Sequence, residues 1–299
     1  MDGEPGLAEA RFPASDYDLE ATLNSGQVFR WQPADGRWVG VVGARWVRLS
    51  RVDGAVLAEA VGPVPDWGWL SNYLQAEVEL ERVLRSFPDD EPMRAAVAAH
   101  RGLRLLRQDP WECLASFILS STKQIVQIRQ VVARVCARFG EPLEVPPGQA
   151  PAFAFPSPAR LAEVQETELR ACKMGFRAPY LRSAARKIAG GQLDLSALGG
   201  LPIEAARAGL MALPGVGRKI ADCVLLFAYG MQSAFPVDVW VLRGLRELYF
   251  RRRRATLKKL QDFGETHFGP NAGYAQQYLF HYMRMKKHLP DGRVGDSPL

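Results

Sequence analysis

The sequence LPGVGRKIADCVLLFAYG at residues 213–230 determines the fold that we predict for most of this chain. The segment before it, IEAARAGLMA (203–212), has apolar residues at helical spacing, and Pro214 with Gly215 ends that helix. A second apolar helix begins after Gly217, so the pattern is a helix, a tight glycine-rich turn and a second helix. The free N–H groups at the start of the second helix make such a turn an anion site, for which a DNA phosphate is the natural ligand.

We therefore expect the turn to bind the phosphate through Gly215, Val216, Gly217 and Arg218. The carbonyl groups of the same turn could also hold a monovalent cation between the protein and the phosphate. An ordinary helical corner would use the same proline and glycines, so the turn alone leaves that alternative open.

Two ionisable residues follow the turn, each at a predicted helix N-terminus. Lys219 lies in the first turn of the second helix, where the dipole disfavours a cation and favours the neutral amine that a nucleophile needs. Cys223 follows four residues later on the same helix face. In FPVDVW (235–240), Asp238 stands where backbone N–H groups can hold its carboxylate. An amine and a carboxylate thus converge near one groove, although a surface lysine and a simple helix cap are the alternatives for either residue alone.

The charge is divided unevenly along the chain. Residues 1–100 contain nine Arg, no Lys and 16 acidic residues, a net charge of −7. Residues 101–299 contain 29 basic and 16 acidic residues, a net charge of +13. The basic part is typical of a surface that meets a polyanion, although a solvated basic surface has the same composition. For the RRRR run at 251–254, a solvated basic surface is the favoured interpretation.

Composition argues against several other classes of protein. Hydrophobic residues make up 47% of the 299 positions, and no apolar run is long enough to span a bilayer. The acidic N-terminus lacks the apolar core of a secretory signal. The four cysteines are far apart, which argues against a zinc or iron–sulfur site and against a disulfide framework. We therefore expect a protein without a metal that is neither secreted nor bound to a membrane.

The chain outside the turn predicts an α+β fold. Residues 20–62 have short Val, Trp and Arg runs with approximate period-two alternation, which is typical of antiparallel strands. Gly36, Gly43 and Gly54 fall where hairpin turns are needed, and the nearby tryptophans Trp31, Trp38 and Trp46 are expected to pack the sheet core. After Pro65 the apolar spacing becomes helical, first at 69–85 and 91–106.

Three regions follow from this change of period. We predict an N-terminal sheet domain with flanking helices at 1–107, a helical domain at 108–290 with the active-site cleft between its subdomains, and a flexible tail at 291–299. The helices predicted in the second region are 110–121, 124–139, 158–164, 166–172, 178–190, 203–212, 217–230, 237–249, 256–267 and 271–285. The Pro- and Gly-rich segment 141–158 is predicted to interrupt them.

Beyond these patterns, LPGVGRKIADC followed by PVD resembles the helix–hairpin–helix signature of base-excision DNA glycosylases. Within that superfamily the chain is similar to the 8-oxoguanine DNA glycosylase family nearly from end to end. Further segments in the order and spacing of that family are NSGQVFRWQ (24–32), DPWECLASFILSSTKQIVQI (109–128), MGFRAPYLRSAA (174–185), PVDVWV (236–241) and FGPNAGYAQQYLF (268–280).

The resemblance implies a bifunctional glycosylase and lyase that extrudes the damaged nucleotide from the duplex. Lys219 would attack C1′ of the deoxyribose as the base departs, and a Schiff base followed by β-elimination would cut the strand. Asp238 would stay ionised and stabilise the positive charge that develops on the sugar. The implied substrate is double-stranded DNA with 8-oxoguanine, and ring-opened purines are plausible as well. This chemistry requires no metal or organic cofactor.

The resemblance also assigns the base pocket. Gly26 holds the place of a glycine whose carbonyl accepts the N7–H of 8-oxoguanine, a donor that guanine lacks. Gln276 matches the glutamine that contacts the Watson–Crick edge. Cys223 and Phe280 match the two groups that sandwich the base.

The residues expected at the opposite strand depart from the family in part. Phe176 matches an aromatic wedge, and Arg177 matches an arginine that reads the opposite base. The family has consecutive asparagines where this chain has Thr122, Lys123 and Gln124.

Two further positions differ from the family as well. Gln127 replaces an arginine, and Trp240 replaces a histidine. We therefore expect a weaker preference for cytosine opposite the lesion than the family has.

Two alternatives remain open at this point. An alkylated-base glycosylase of the same fold would share the sheet and the aspartate but would lack the lysine. A non-catalytic helix–hairpin–helix protein would use the turn for DNA binding alone. In each case we expect a monomer that binds DNA, in the cytoplasm or nucleoid of a prokaryote or the nucleus of a eukaryote.

Overall fold

The computed structural model describes residues 6–14, 16–121, 123–251 and 255–286. Within them an antiparallel sheet is followed by a helical domain, which confirms the predicted architecture. The predictions for Thr122, for residues 252–254 and for the tail fall outside the described residues. Within the described segments, no helix is both long and apolar enough to cross a membrane.

Five strands form the N-terminal sheet. They are β1 (Leu7–Pro13), β2 (Gln32–Ala34), β3 (Arg37–Val42), β4 (Arg45–Val52) and β5 (Ala55–Val61), hydrogen-bonded in the order β1-β5-β4-β3-β2. The β2–β3 and β4–β5 turns are both Asp-Gly pairs at positive φ, the arrangement that a two-residue hairpin favours. Trp31 belongs to the sheet core and Trp38 packs against it, as predicted. Trp46 is buried but lies outside that core, because it alternates with Val47 and Leu49 along β4 and so faces the other side of the sheet.

The N-terminal region differs from the prediction in three places. The interval predicted as strands begins instead with helix α1 (Leu19–Asn24), which Asp18 caps by accepting a hydrogen bond from the Ala21 N–H. The sheet's outer strand β1 comes from an earlier segment that the sequence patterns did not identify. The helical spacing predicted over 91–106 forms a helix only as far as Ala99.

The helices that follow are α2 (Gly68–Leu74), α3 (Leu80–Leu84), α4 (Glu91–Ala99), α5 (Pro110–Ser120), α6 (Ile125–Phe139), α7 (Pro158–Glu163), α8 (Glu166–Ala171), α9 (Ala178–Ala189), α10 (Leu195–Leu198), α11 (Ile203–Met211), α12 (Arg218–Phe227), α13 (Val239–Gly244), α14 (Leu257–His267) and α15 (Ala272–Lys286). A π-helical turn (Leu245–Tyr249) extends α13. Two features of the helical region were not predicted: α10, and a small hairpin of β6 (Pro142–Leu143) and β7 (Ala152–Phe153) within the segment predicted to interrupt the helices.

Packing brings distant parts of the chain to one place. Helix α12 packs against α5 and α11, and α15 packs against α4, α13 and α14. Helix α1 joins the two cores, because Ala21 belongs to the helical core and Leu23 to the sheet core. The segment after α1 is thereby held at the junction of the sheet with the helices. The predicted domain boundary at residue 107 stays a prediction.

Candidate active site

The turn between α11 and α12 has the shape that its glycines predicted. Gly215 has a φ of +78°, and a Cβ there would lie 2.6 Å from the ring of Tyr180, so both conformation and space require glycine. Gly217 precedes α12 in an extended conformation with open space around it. Since α12 has no side-chain cap, its first N–H groups remain available to an external ligand.

The side chain of Arg218 is engaged within the protein. Its guanidinium pairs with Glu265 and lies 3.6 Å from Asp222 Oδ2. The buried Arg207 donates to Asp222 Oδ1 at 2.7 Å, so this ion cluster ties α11, α12 and α14 together. The predicted phosphate contact at Arg218 therefore concerns its backbone N–H rather than its guanidinium.

A cavity of about 780 Å³ brings most of the predicted site residues together. It lies between helices, as predicted, but the segment after α1 also contributes to its wall. The predicted residues that line it are Gly26, Lys123, Gln124, Lys219, Cys223, Asp238, Gln276 and Phe280.

Asp238 caps α13, as its position in the sequence predicted. Its Oδ1 accepts hydrogen bonds from the N–H groups of Trp240 at 3.0 Å and Val241 at 2.8 Å. Both of these hydrogen bonds go to Oδ1, so the start of α13 fixes one of the two carboxylate oxygens. Burial raises the pKa of Asp238, and the two backbone hydrogen bonds together with the charge of Lys219 oppose that rise.

The side chain of Lys219 lies over a cluster of phenylalanine rings that the sequence analysis did not identify. Its Nζ lies 5.2 Å from the ring centroid of Phe117. Phe117 stacks on Phe227 and meets Phe29 edge to face, with centroids 5.6 Å apart in each pair. Phe29 and Phe117 lie within GQVFRWQ and SFILSS, so the segments that carry the resemblance already contained the signal. The amine is therefore presented from an apolar surface.

Two further residues that line the cavity carry acceptor oxygens without a hydrogen-bond partner among the described residues. Gln276 is buried, and its Oε1 has no hydrogen-bond partner among the described residues. The Gly26 carbonyl likewise accepts no hydrogen bond from them, and Gly26 has a φ of +79°. Burial raises the pKa of Cys223 to about 12, so this residue remains a thiol, and the half-buried Phe280 lines the same cavity.

The residues predicted for the opposite strand are divided: Lys123 and Gln124 line this cavity, whereas Phe176 and Arg177 are not among the described residues that line it. Phe176 is 55% exposed, as a wedge requires, whereas the neighbouring Arg177 is buried with its guanidinium 4.3 Å from the Phe176 ring centroid. Gln127, which stands in place of the family's arginine, uses its Oε1 to accept the N–H of Gln124 at the start of α6.

Two family models together match most of the chain. Residues 10–114 match the N-terminal domain of 8-oxoguanine DNA glycosylase, and residues 115–267 match the HhH-GPD superfamily of base excision DNA repair proteins. The N-glycosylase/DNA lyase OGG1 of Arabidopsis thaliana is 31% identical over 298 residues, an alignment that covers 93% of this chain and 80% of that protein.

Two solved structures are similar over nearly the whole chain. The structure of MBOgg1 with a low-affinity DNA ligand has a TM-score of 0.88 and 32% identity, and covers 95% of this chain and 99% of that one. The 8-oxoguanine glycosylase/lyase of Clostridium acetobutylicum, bound to double-stranded DNA with cytosine opposite 8-oxoguanine, has a TM-score of 0.86 and 30% identity. That match covers 96% of this chain and all of the other.

Proposed function

The chain belongs to the 8-oxoguanine DNA glycosylase family, and we propose that it removes 8-oxoguanine from double-stranded DNA as a bifunctional N-glycosylase and lyase. One observation carries the proposal for the site: Lys219 and Asp238 line a single cavity together with the acceptors of Gly26 and Gln276. An amine, a carboxylate and unclaimed acceptors are what this reaction requires of a protein.

In the proposed reaction the amine of Lys219 attacks C1′ of the extruded nucleotide. The N–C1′ bond forms as the glycosidic bond breaks, and the base leaves with the bonding electrons and takes up the proton that the attacking nitrogen releases. Opening of the sugar gives a Schiff base, and β-elimination then expels the 3′ phosphate. Asp238 stabilises the positive charge on the sugar through the oxygen that its helix cap leaves free. These steps use an amine and a carboxylate and need no cofactor.

The proposed base contacts follow from the same cavity. The Gly26 carbonyl accepts the N7–H that distinguishes 8-oxoguanine from guanine, and Gln276 Oε1 accepts from the Watson–Crick edge. Cys223 and Phe280 lie on the two faces of the base. Ring-opened purines, which can also present an N–H to Gly26, are plausible further substrates.

The proposed DNA contacts use the hairpin and the opposite-strand residues. The backbone of residues 215–218 binds a phosphate of the lesion strand, and a monovalent cation at this turn stays a prediction. Phe176 fills the gap in the duplex, and Arg177 contacts the opposite base after turning out of its buried position. Lys123 and Gln124 stand at the vacated position. We propose a monomer that acts where the genome is, in the nucleoid of a prokaryote or the nucleus of a eukaryote.

A strand-scission panel tests this function. Labelled duplexes would carry 8-oxoguanine, a ring-opened purine or a methylated purine opposite each of the four bases, with and without borohydride. We expect cleavage at 8-oxoguanine, a covalent adduct with borohydride, and only a modest preference for cytosine. Release of methylated bases without an adduct would instead identify an alkylated-base glycosylase. Binding without cleavage would identify a non-catalytic protein, and a strong cytosine preference would show that Arg177 suffices for selectivity.

A further inference from the structure

The segment that carries Gly26 is held by side-chain donors on both sides of that residue. Thr22 O accepts from Ser25 Oγ and Gln27 Nε2, and Gln27 O accepts from Gln108 Nε2 at 2.7 Å. Ser25 O accepts from Gln277 Nε2 at 3.0 Å. The carbonyls of residues 23 and 24 are bound as well. Among the described donors, none is bonded to the Gly26 carbonyl, which is the exception in this segment.

Two arginines hold the carbonyls at residues 23 and 24. Arg129, on α6, donates through Nη2 to Leu23 O at 3.3 Å and to Asn24 Oδ1 at 3.0 Å. Arg284, on α15, donates through Nη2 to Asn24 O at 2.5 Å. These contacts join α6 and α15 to the C-terminal end of α1, across 105 and 260 positions of the chain.

The positive charges of Arg129 and Arg284 are close together and partly buried, which is unfavourable without acceptor groups nearby. Burial lowers the pKa of Arg284 to about 10, and the nearby charge of Arg129 contributes to that shift. Burial also lowers the pKa of Arg129. Two partly desolvated cations repel each other, and the carbonyl groups of Leu23 and Asn24 provide the compensating interactions.

We propose that Arg129 and Arg284 are positioning residues for base recognition, which hold the Gly26 carbonyl in the orientation that receives the N7–H of the lesion. A glycine at positive φ has little conformational preference of its own, so its neighbours must fix its peptide planes. Arg284 also lines the cavity and lies 6.0 Å from the ring centroid of Phe280, so the pair supports the same side of the base pocket. This inference rests on the proposed function, because it assumes that Gly26 contacts the base.

The proposal separates two activities of one enzyme. Excision of 8-oxoguanine needs the Gly26 carbonyl in place, whereas cleavage at a preformed abasic site needs Lys219 but no base. Loosening the arginine pair should therefore slow excision and leave abasic-site cleavage unchanged. A loss of folded protein would reduce both activities together.

The test compares Arg129→Met and Arg284→Met with the unaltered protein in single-turnover assays. One duplex contains 8-oxoguanine opposite cytosine, and an otherwise identical duplex contains an abasic site. We expect excision to fall by about tenfold to a hundredfold, the effect of displacing a contact by about 1 Å, with unchanged abasic-site cleavage. Arg284→Lys keeps the positive charge and an N–H donor group and should recover much of the excision rate.

Arg186→Met is the matched control, because it removes another helical arginine that donates to a backbone carbonyl, that of Ala162 at 3.2 Å. We expect it to leave both activities unchanged. Parallel losses of both activities in the Arg129 and Arg284 variants, or no loss of excision, would overturn the proposal. An unaltered protein that cleaves neither duplex and forms no borohydride adduct would instead overturn the proposed function, and this inference with it.

Discussion

The two walls of the cavity are positioned in different ways. The chemical wall consists of Lys219 and Asp238, which lie within 20 residues of each other, one in the first turn of α12 and the other at the start of α13. Backbone N–H groups orient its carboxylate. The base wall consists of Gly26, Gln276 and Phe280, which come from opposite ends of the chain. Donors from distant helices hold the segment of Gly26. Local structure thus positions the residues that react with the sugar, whereas tertiary packing positions the residues that contact the base.

The largest effect is expected on the chemical wall. Lys219→Gln should abolish strand cleavage and the borohydride-trapped adduct, because the amide cannot attack C1′. Binding to lesion DNA should persist, since the base wall is untouched. Gel-shift titration and trapping on the same preparation measure the two properties separately. Full activity in this variant would show that the nucleophile lies elsewhere.

Asp238→Asn should have the next largest effect. The substitution retains an oxygen that can cap α13 but removes the negative charge that stabilises the sugar cation. We expect base release to slow by about 10²- to 10³-fold, as for the loss of other preorganised electrostatic contacts. Single-turnover release of the free base measures this rate. A change of less than about twofold in that rate would contradict the role of the carboxylate.

Gln276→Ala alters the base wall and should have a smaller effect. A hydrogen bond of this kind contributes about 1–1.5 kcal/mol, so excision of 8-oxoguanine should fall by roughly five- to tenfold. Cleavage at an abasic site should not change, because no base is present to be read. Equal loss of both activities would show that Gln276 supports the fold of the site rather than recognition.

The smallest expected effect is on the pH dependence of base release, whose rate should begin to decline at a higher pH than the pKa of an ordinary aspartate predicts. Burial raises the pKa of Asp238, so the carboxylate becomes protonated at a higher pH than an ordinary aspartate does as the solution is acidified. The ionised form is the active one, so base release should decline as the pH falls through that range. A pH profile of the unaltered protein beside Asp238→Asn measures this decline, which should be absent from the variant.

The sequence predicted the chemical wall because local rules create it. The turn at Gly215, the open start of α12 and the cap at Asp238 each depend on residues a few positions apart. The same rules located most helices of the second region. They missed α1, whose six residues lie within an interval of strand-like composition.

The base wall could be assigned only through the resemblance, because its contacts span the chain. Nothing in the local sequence of Arg129 or Arg284 indicates a bond to a carbonyl at residue 23 or 24. The ion pair between Arg218 and Glu265 could not be predicted from the sequence either, since it depends on how α14 packs against the hairpin. Spacing predicts where a helix starts, but not which distant carbonyl a long side chain reaches.

The central claim is that Lys219 is the amine that attacks the sugar. A second lysine, Lys123, lines the same cavity, so the decisive measurement is mass spectrometry of the borohydride-reduced complex with 8-oxoguanine DNA after proteolysis. We predict that the sugar remnant is attached to Lys219 Nζ. Attachment to Lys123 or to any other amine, or cleavage of the lesion strand without any adduct, would contradict the account.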